Sequence, residues 1–375
     1  MVSLIAVLLV AVYVLGQTDR YNDKIRLDGW SIFRDDFLRT MPMSEKAKPS
    51  PLLCTIILAA GKGTRMKSSR AKVLHEVFFA PMVHHVVRAV LPLEAKKNIA
   101  VVGHQADQVR ASLAGFPVAC IEQRQQNGTG HAVLAVEQAV PTECATVLIL
   151  CGDTPLVRAR TLRAMVTVHE EKGADLTLLT TRMDDPFGYG RVLRDQDGRV
   201  RAIIEEKDAN DEERRIKEIN GGIYCVGRSF LFDALKEITP DNSQHELYLT
   251  DIVGIAVSAG RKVERFQYGD AGEILGVNSR EQLARAHGIL THRRNLDLMA
   301  SGVTILDPAT TYIAPEVSIG ADTVVHPQVQ ILGSSLVGEG AEIGSCSVLT
   351  DCTVAAAGVV PPGTVATGCS FAEQC

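Results

Sequence analysis

Leu58-Ala59-Ala60-Gly61-Lys62-Gly63-Thr64-Arg65-Met66, with Lys72-Val73-Leu74-His75 close behind, is the most informative stretch of this chain. It follows the apolar, β-branched run Thr55-Ile56-Ile57-Leu58, which reads as a buried strand. The strand stops at two glycines and two basic residues. Gly61 and Gly63 allow a sharp turn and bring bare N–H groups close to a ligand. Arg65 offers a fork of donors that suits phosphate oxygens, and Lys72 a point charge. A strand that opens into such a loop is a phosphate cradle. The same residues would also serve an ordinary turn with solvated cations, so the rest of the chain has to separate the two.

Counting excludes two common phosphate loops. A dinucleotide fingerprint needs a third glycine three places after Gly63, where Met66 stands. A P-loop needs Gly-Lys-Thr/Ser after four spacer residues, and Gly61-Lys62-Gly63-Thr64 is the wrong order.

With 375 residues, 46% of them hydrophobic and 22% charged, the chain has the composition of a soluble protein of about two domains. The net charge of −5 recommends no nucleic-acid partner, so anionic ligands must be held by local cations and backbone N–H groups. Nine cysteines without a C-x-x-C pair argue for reduced thiols and against a disulfide framework or zinc site. Residues 2–16 form an uncharged apolar run, short for a membrane span and lacking the basic start of a secretory signal. Residues 1–50 are therefore expected to be an extension, disordered or untranslated. Translation from Met41 or Met43 is one reading of it, an interfacial anchor or poor signal peptide the other. Stable membrane insertion is not expected, and a cytoplasmic location is.

From residue 53 onward, short apolar runs alternate with helical patterns. Residues 99–102, 117–121 and 146–150 read as buried parallel strands; 82–91, 106–114 and 130–139 have helical apolar spacing. This alternation predicts βαβ units and a doubly wound sheet, whose ligands sit beyond the carboxyl ends of the strands. The loop after Leu58 and the loop Cys151-Gly152-Asp153-Thr154-Pro155 are both such ends. Asp153 could hold Mg²⁺, a hard cation that takes carboxylate and phosphate oxygens, while Thr154 and Pro155 have helix-start chemistry. Between them, Gln123-Arg124-Gln125-Gln126-Asn127-Gly128-Thr129 supplies amides with the donors and acceptors needed to read a base edge. Further on, residues 176–181, 190–194 and 200–205 alternate like antiparallel strands around an Asp197-Gly198 turn. Residues 244–259 read as helical. Asn278 precedes Ser279 and Gln282, which have capping-box spacing for a long helix.

In order, GKGTRM, AKVLH, QRQQNGTGHA, CGDTP, GYGRV, IEEKDA, EINGGIY, YLTDI and GVNSR resemble the uridylyltransferase half of the bifunctional N-acetylglucosamine-1-phosphate uridylyltransferase/glucosamine-1-phosphate acetyltransferase family. The match runs unbroken from about residue 53 to residue 300. The resemblance implies a nucleotide site made by Leu58, Ala59, Ala60, Gly61, Gly63, Thr64, Arg65, Lys72, Gln123, Gln126 and Gly128, with the two glutamines and the backbone of Ala60 and Gly128 on uracil. It implies catalytic roles for Arg65 and Lys72, Mg²⁺ on Asp153 and Asn278, and a sugar site of Thr129, Gly190, Glu205 and Asn220. Departures from the family pattern are Ala71 for a usual proline, Gly221 for a common threonine, and Cys151 at a site often aromatic. None removes a charge or a ligand.

The tail is periodic. Ile313, Ile319, Val325, Ile331, Val337, Ile343, Leu349 and Ala355 recur every sixth residue, each followed four places on by a small or β-branched residue. That is the hexapeptide period of a β-helix with three hexads per coil. Eight hexads predict fewer than three coils, ended by Pro361-Pro362-Gly363.

The expected fold is α/β: a Rossmann-like doubly wound nucleotidyltransferase domain over residues 51–278, a linker helix over 279–302, and a short left-handed parallel β-helix of hexapeptide repeats over 303–375. The expected activity is Mg²⁺-dependent transfer of UMP from UTP to N-acetylglucosamine 1-phosphate, in a homo-oligomer, a trimer. The resembled family's acetyltransfer residues lie on later coils, so acetyltransfer is not expected. The alternatives are a pyrophosphorylase for another hexose 1-phosphate and a non-catalytic nucleotide-sugar-binding scaffold; retention of every charged site position speaks against the scaffold.

Overall fold

The computed structural model describes residues 52–372; the expected extension 1–50, with its two candidate start methionines, lies outside them. The described residues open with β1 (Leu53–Ala59), then a small hairpin of β2 (Glu76–Val77) and β3 (Ala80–Pro81) leading into α1 (Met82–Val90). Next come β4 (Lys97–Val102), α2 (Ala106–Leu113), β5 (Ala119–Glu122), α3 (Thr129–Leu134), β6 (Thr146–Cys151) and α4 (Ala159–Lys172). A second half follows with β7 (Leu176–Arg182), β8 (Arg191–Arg194), β9 (Val200–Ile204), α5 (Asp211–Arg214), β10 (Glu218–Gly227), α6 (Arg228–Glu237), α7 (Asp251–Ser258) and β11 (Val263–Gln267). The 21-residue α8 (Arg280–Ala300) then leads into the repeats.

One nine-stranded sheet has the order β11-β7-β10-β6-β1-β4-β5, with β8 and β9 branching from β10. β1, β4, β5 and β6 are parallel, and β10 runs against β6 and β7. β1 is covered on both faces, which is why its sequence is apolar throughout. Cys54 and Ile56 pack into one core, Leu53, Ile57 and Ala59 into the other. Its one polar residue, Thr55, is buried with its hydroxyl donated to Asn98 Oδ1 at 2.7 Å. The predicted strands and helices of this half stand close to where the pattern put them.

One prediction fails at its start. The segment expected to be helical from residue 244 becomes α7 only at Asp251. Residues 244–250 instead form an irregular segment with turns at both ends, because their backbone groups pair elsewhere: Leu247 N–H donates to Asn127 O (2.8 Å) and Leu247 O accepts from Gly130 N–H (2.7 Å).

The repeats form three parallel sheets of four strands each, from Thr304–Ile305 to Ser370–Phe371, stacked as a left-handed parallel β-helix. That is four coils, where the hexad count predicted fewer than three. The inward positions hold from Ile313 to Leu349, with Ile319 only half-buried. They then slip: Val354 is buried and Ala355 half-exposed, and Val337 pairs with Val354. The corner at Asp351 is one residue tighter than the corner below it. Asp351 adopts a left-handed φ of 52°, and its Oδ1 accepts from Ser334 N–H at 2.8 Å. In the shifted frame Val360 and Phe371 stack on Ile343 and Val354, so Pro361-Pro362-Gly363 is a corner and not an end.

α8 joins the two parts. Its first half packs on the hairpin and on Leu156 and Val277. Its second half closes the β-helix, with Asn295 Nδ2 donating to Pro308 O (2.8 Å) and Thr311 O (2.9 Å), and Arg294 Nη2 to Val317 O (2.5 Å).

Candidate active site

The carboxyl ends of β1 and β6 lie side by side and open into a cleft of about 570 Å³. On the β1 side the chain turns at Gly63, whose φ of 62° is a left-handed value, into a single 3₁₀ turn, Thr64–Met66. A Cβ at Gly63 would lie 2.5 Å from Lys72 Cβ, so glycine is what allows the loop to lie against the lysine. Buried Met66 pins the turn, leaving Arg65 exposed towards the cleft. Lys72 starts a second 3₁₀ turn, held by buried Val73 and Leu74.

Four of the predicted side chains converge here. Lys72 Nζ forms an ion pair with Asp153 Oδ2 and donates to Asn278 Oδ1 at 2.6 Å. Arg65 Nη2 donates to the same Asn278 oxygen at 2.7 Å. The backbone draws the acid and the amide together, because Val277 N–H donates to Asp153 O at 2.9 Å. Ser279 caps α8, accepting from Gln282 N–H at 3.1 Å, while Gln282 Oε1 accepts from Asn278 N–H at 2.7 Å. Half of the predicted capping box is therefore present, and the other half serves the site residue. Thr154 is not a helix cap: its hydroxyl donates to Cys151 O (2.7 Å), and α4 begins five residues later at Ala159, because the intervening residues turn to carry the loop over the strand ends.

Asp153 and Asn278 offer two oxygens within reach of one ammonium. Among the described residues no group of three or more His, Cys, Asp or Glu could hold a metal ion. Two hard oxygens beside a phosphate loop fit Mg²⁺, which keeps several waters and takes its remaining ligands from phosphate.

The opposite wall carries amides and glycine. Gln123 is buried and its Nε2 donates to Gly128 O (3.1 Å) and towards His131 Nδ1 (3.0 Å), so the carbonyl end of the amide is left for a ligand. Gly128 has φ 105°, and a Cβ there would stand 2.5 Å from Leu247 O. Only glycine permits this clip between the loop and residues 244–250. Thr129 Oγ1 adds to it by accepting from Leu249 N–H at 3.0 Å. Ala60 O accepts from His104 N–H at 3.1 Å.

Leu58, Ala60, Gly61, Gly63, Thr64, Arg65, Lys72, Gln123, Gln126, Gly128, Thr129, Asp153 and Asn278 all line the cleft. Ala59 does not: its side chain belongs to the core beneath. Gly190, Glu205 and Asn220 lie outside this lining and form a neighbouring group. A Cβ on Gly190 would come within 3.5 Å of Glu205 Oε2. Glu205 Oε1 accepts from Thr250 Oγ1 at 3.1 Å, and Asn220 Nδ2 donates to the buried Tyr224 hydroxyl at 2.5 Å. Burial raises the Glu205 carboxyl above its usual range, with Asp251 and Asp208 adding to the shift. Cys151 stands at the seam between the two groups. It lines the cleft, its Sγ lies 3.7 Å from Gly222 O, and burial beside Asp153 pushes its thiol up to about 12.

Sequence reasoning gave no role to Lys62, Val73, Ala132, Gln244 or Glu246, which also line the cleft. Lys62 sat inside the quoted loop; Gln244 and Glu246 were hidden by the helical reading of their segment. A larger hollow of about 770 Å³ lies between β9, α6 and α7. Among the described residues that line it, the one cation, Arg261, faces Asp175 at 3.4 Å, and Asp233, Glu237 and Asp251 add acidic groups, so it does not suit an anionic ligand.

Asp251 allows a test of that neighbourhood. Burial and Asp208 push its carboxyl from 3.8 up to about 6. The folded chain therefore binds the extra proton between those values, and this group's effect on stability becomes more unfavourable as pH rises through that window. Asp251→Asn is expected to raise the thermal unfolding midpoint at pH 8 and to leave it nearly unchanged at pH 4. Equal shifts at the two pH values would contradict the buried-carboxyl account.

Comparison with known proteins adds a family to this geometry. Residues 55–248 match the MobA-like NTP transferase domain. The chain is 45% identical over 327 residues to the bifunctional protein GlmU of Desulfotalea psychrophila, a match covering 87% of this chain and 96% of that protein. It is 49% identical over 303 residues to the GlmU of Geobacter metallireducens and 47% identical over 303 residues to that of Pelobacter propionicus. Each of these two matches covers 80% of this chain, but only 64% and 66% of the relative.

Proposed function

The chain belongs to the GlmU family and is a nucleotidyltransferase, and from that premise we propose that it transfers UMP from UTP to N-acetylglucosamine 1-phosphate, releasing pyrophosphate. The observation that carries this is the meeting of Arg65, Lys72, Asp153 and Asn278 in one cleft whose far wall is Gln123 and Gly128.

The reaction needs no covalent intermediate. An oxygen of the sugar phosphate attacks the α-phosphorus of UTP in line; the bond to the bridging oxygen breaks, and that electron pair leaves with pyrophosphate. The nucleophile is already ionised near neutral pH, so no general base is required. Positioning and charge neutralisation remain, and these residues supply both. Lys72 and Arg65 donate to phosphate oxygens and offset the charge that grows on the leaving group. Mg²⁺ held by Asp153 and Asn278 would neutralise the phosphates further. Gln123, its amide nitrogen already committed, presents an acceptor to the N3–H of uracil; cytosine has an acceptor at that place and would be refused. Glu205 and Asn220 would read the hydroxyls and the N-acetyl group of the sugar.

Pyrophosphate release, measured with Mg²⁺ and UTP, tests the proposal. Rapid release with N-acetylglucosamine 1-phosphate is expected, with glucose 1-phosphate and CTP each at least about tenfold poorer, the size of one lost or mismatched polar contact. Equal rates with the two sugars would refute the acceptor assignment, and equal rates with UTP and CTP the reading of Gln123.

A further inference from the structure

Between the phosphate-side lysine and α1, the chain makes a hairpin whose two turn residues are Phe78 and Phe79, at φ 44° and 65°. Two successive left-handed residues normally call for Asn-Gly, and a pair of bulky aromatics there is strained. The strain is held from outside. Phe78 N–H donates to His287 Nδ1 on α8 at 3.1 Å. Both phenyl rings meet the His287 imidazole edge-on, with centroids 6.1 and 5.9 Å away, and its other side faces Tyr312 of the first β-helix coil at 5.6 Å.

The hairpin is short and stiffly joined to Lys72. His75 O accepts from Met82 N–H (3.0 Å) to close its base, and His75 Nδ1 accepts from Arg280 Nη1 (3.2 Å). Segment 72–81 is thus laid along α8 and the residues that lead into it at three points: Lys72 on Asn278, just ahead of the helix, His75 on Arg280, and Phe78 on His287.

We propose that His287 is a positioning residue for Lys72: by accepting the Phe78 N–H it holds the strained turn in its left-handed form and so sets where the ammonium stands relative to Asp153 and Asn278. Without that acceptor the half-buried N–H has no partner, and the turn relaxes to a form natural for two phenylalanines. The hairpin base and Lys72 move with it. The inference rests on the nucleotidyl-transfer reading, since it acts through Lys72.

Asparagine and glutamine variants separate the bond from the bulk of the ring. The Asn carboxamide oxygen can occupy the place of Nδ1, whereas that of Gln reaches further, near Nε2. His287→Asn is expected to keep kcat within twofold of the wild type. His287→Gln and His287→Ala are expected to lower kcat about tenfold, with KM for the sugar phosphate unchanged and thermal midpoints of the Asn and Gln variants alike. Equal kcat for the Asn and Gln variants would overturn the proposal, as would a raised sugar-phosphate KM in place of a lowered kcat. The Asn–Gln contrast stands alone if the alanine variant fails to fold. A wild-type protein that released no pyrophosphate would instead refute the proposed function, so the two failures are distinct.

Discussion

Asp153→Ala should lower the rate of pyrophosphate release by about a thousandfold and leave the fold intact. Losses of this size follow from removing one preorganised contributor to charge neutralisation at a reacting phosphate. Asp153 faces Lys72 in an ion pair, and the backbone that places it is tied to Val277 N–H independently of its side chain. The substitution therefore removes the proposed metal ligand and unbalances the lysine without moving the loop. The stability cost is limited because Lys72 keeps Asn278 Oδ1 as an acceptor and both charged side chains keep some contact with solvent, at 12% and 21% exposure. The cost is therefore expected to fall below the roughly 3–5 kcal/mol of breaking a fully buried pair. Turnover measured alongside thermal unfolding decides the matter. A variant within tenfold of the wild-type rate would remove Asp153 from the chemistry, and one that unfolds would make its role structural.

The second large effect is expected at Arg191, which carries no role in the reaction and touches no predicted ligand. Its side chain is almost wholly buried, a rare state for arginine. Nη2 pairs with Glu206 Oε2 at 2.7 Å and also donates to Arg214 O at 3.3 Å, while Nη1 donates to Tyr189 O. Glu206 Oε2 in turn accepts from Gly188 N–H at 3.0 Å. One guanidinium thus ties the loop carrying Gly190 to the strand end carrying Glu205, the two neighbours assigned to the sugar. Arg191→Ala takes the guanidinium from two carbonyls and leaves Glu206 with only Gly188 N–H and the more distant Arg214, 3.8 Å away, and breaking a buried charged network in this way costs roughly 3–5 kcal/mol. The variant is expected to melt well below the wild type and, where folded, to show a sugar-phosphate KM raised at least about tenfold at near-normal affinity for UTP. A normal sugar KM in a destabilised variant would confine Arg191 to the fold.

Much of this architecture can be read from residues alone, for physical reasons. β1, β4 and β6 are covered on both faces, so their apolar runs are continuous and unmistakable. Glycine at 63 and 128 is demanded by contacts that leave no room for a Cβ, and such demands leave a visible mark in sequence. The errors arise where tertiary contacts decide. Residues 244–250 have helical spacing, yet pairing of Leu247 with Asn127 and Gly130 keeps them out of a helix. Thr154 has the chemistry of a cap, but the turn over the strand ends uses its hydroxyl. The hexad frame survives until a corner loses one residue at Asp351, and a fixed period cannot see that slip. Nor does any pattern announce that Arg191 is buried, since charge ordinarily signals a surface.

α8 is clamped at both ends. Near its start, Val277 and Asn278 are bound into the phosphate side; near its finish, Arg294 and Asn295 are bound into the first coils. Arg293, between them, donates to Leu156 O at 2.7 Å in the loop that follows Asp153. A rod fixed this way behaves as an axle and not as a tether. Torque applied to the stacked coils would arrive at the cleft as rotation of Asn278 beneath Arg65 and Lys72.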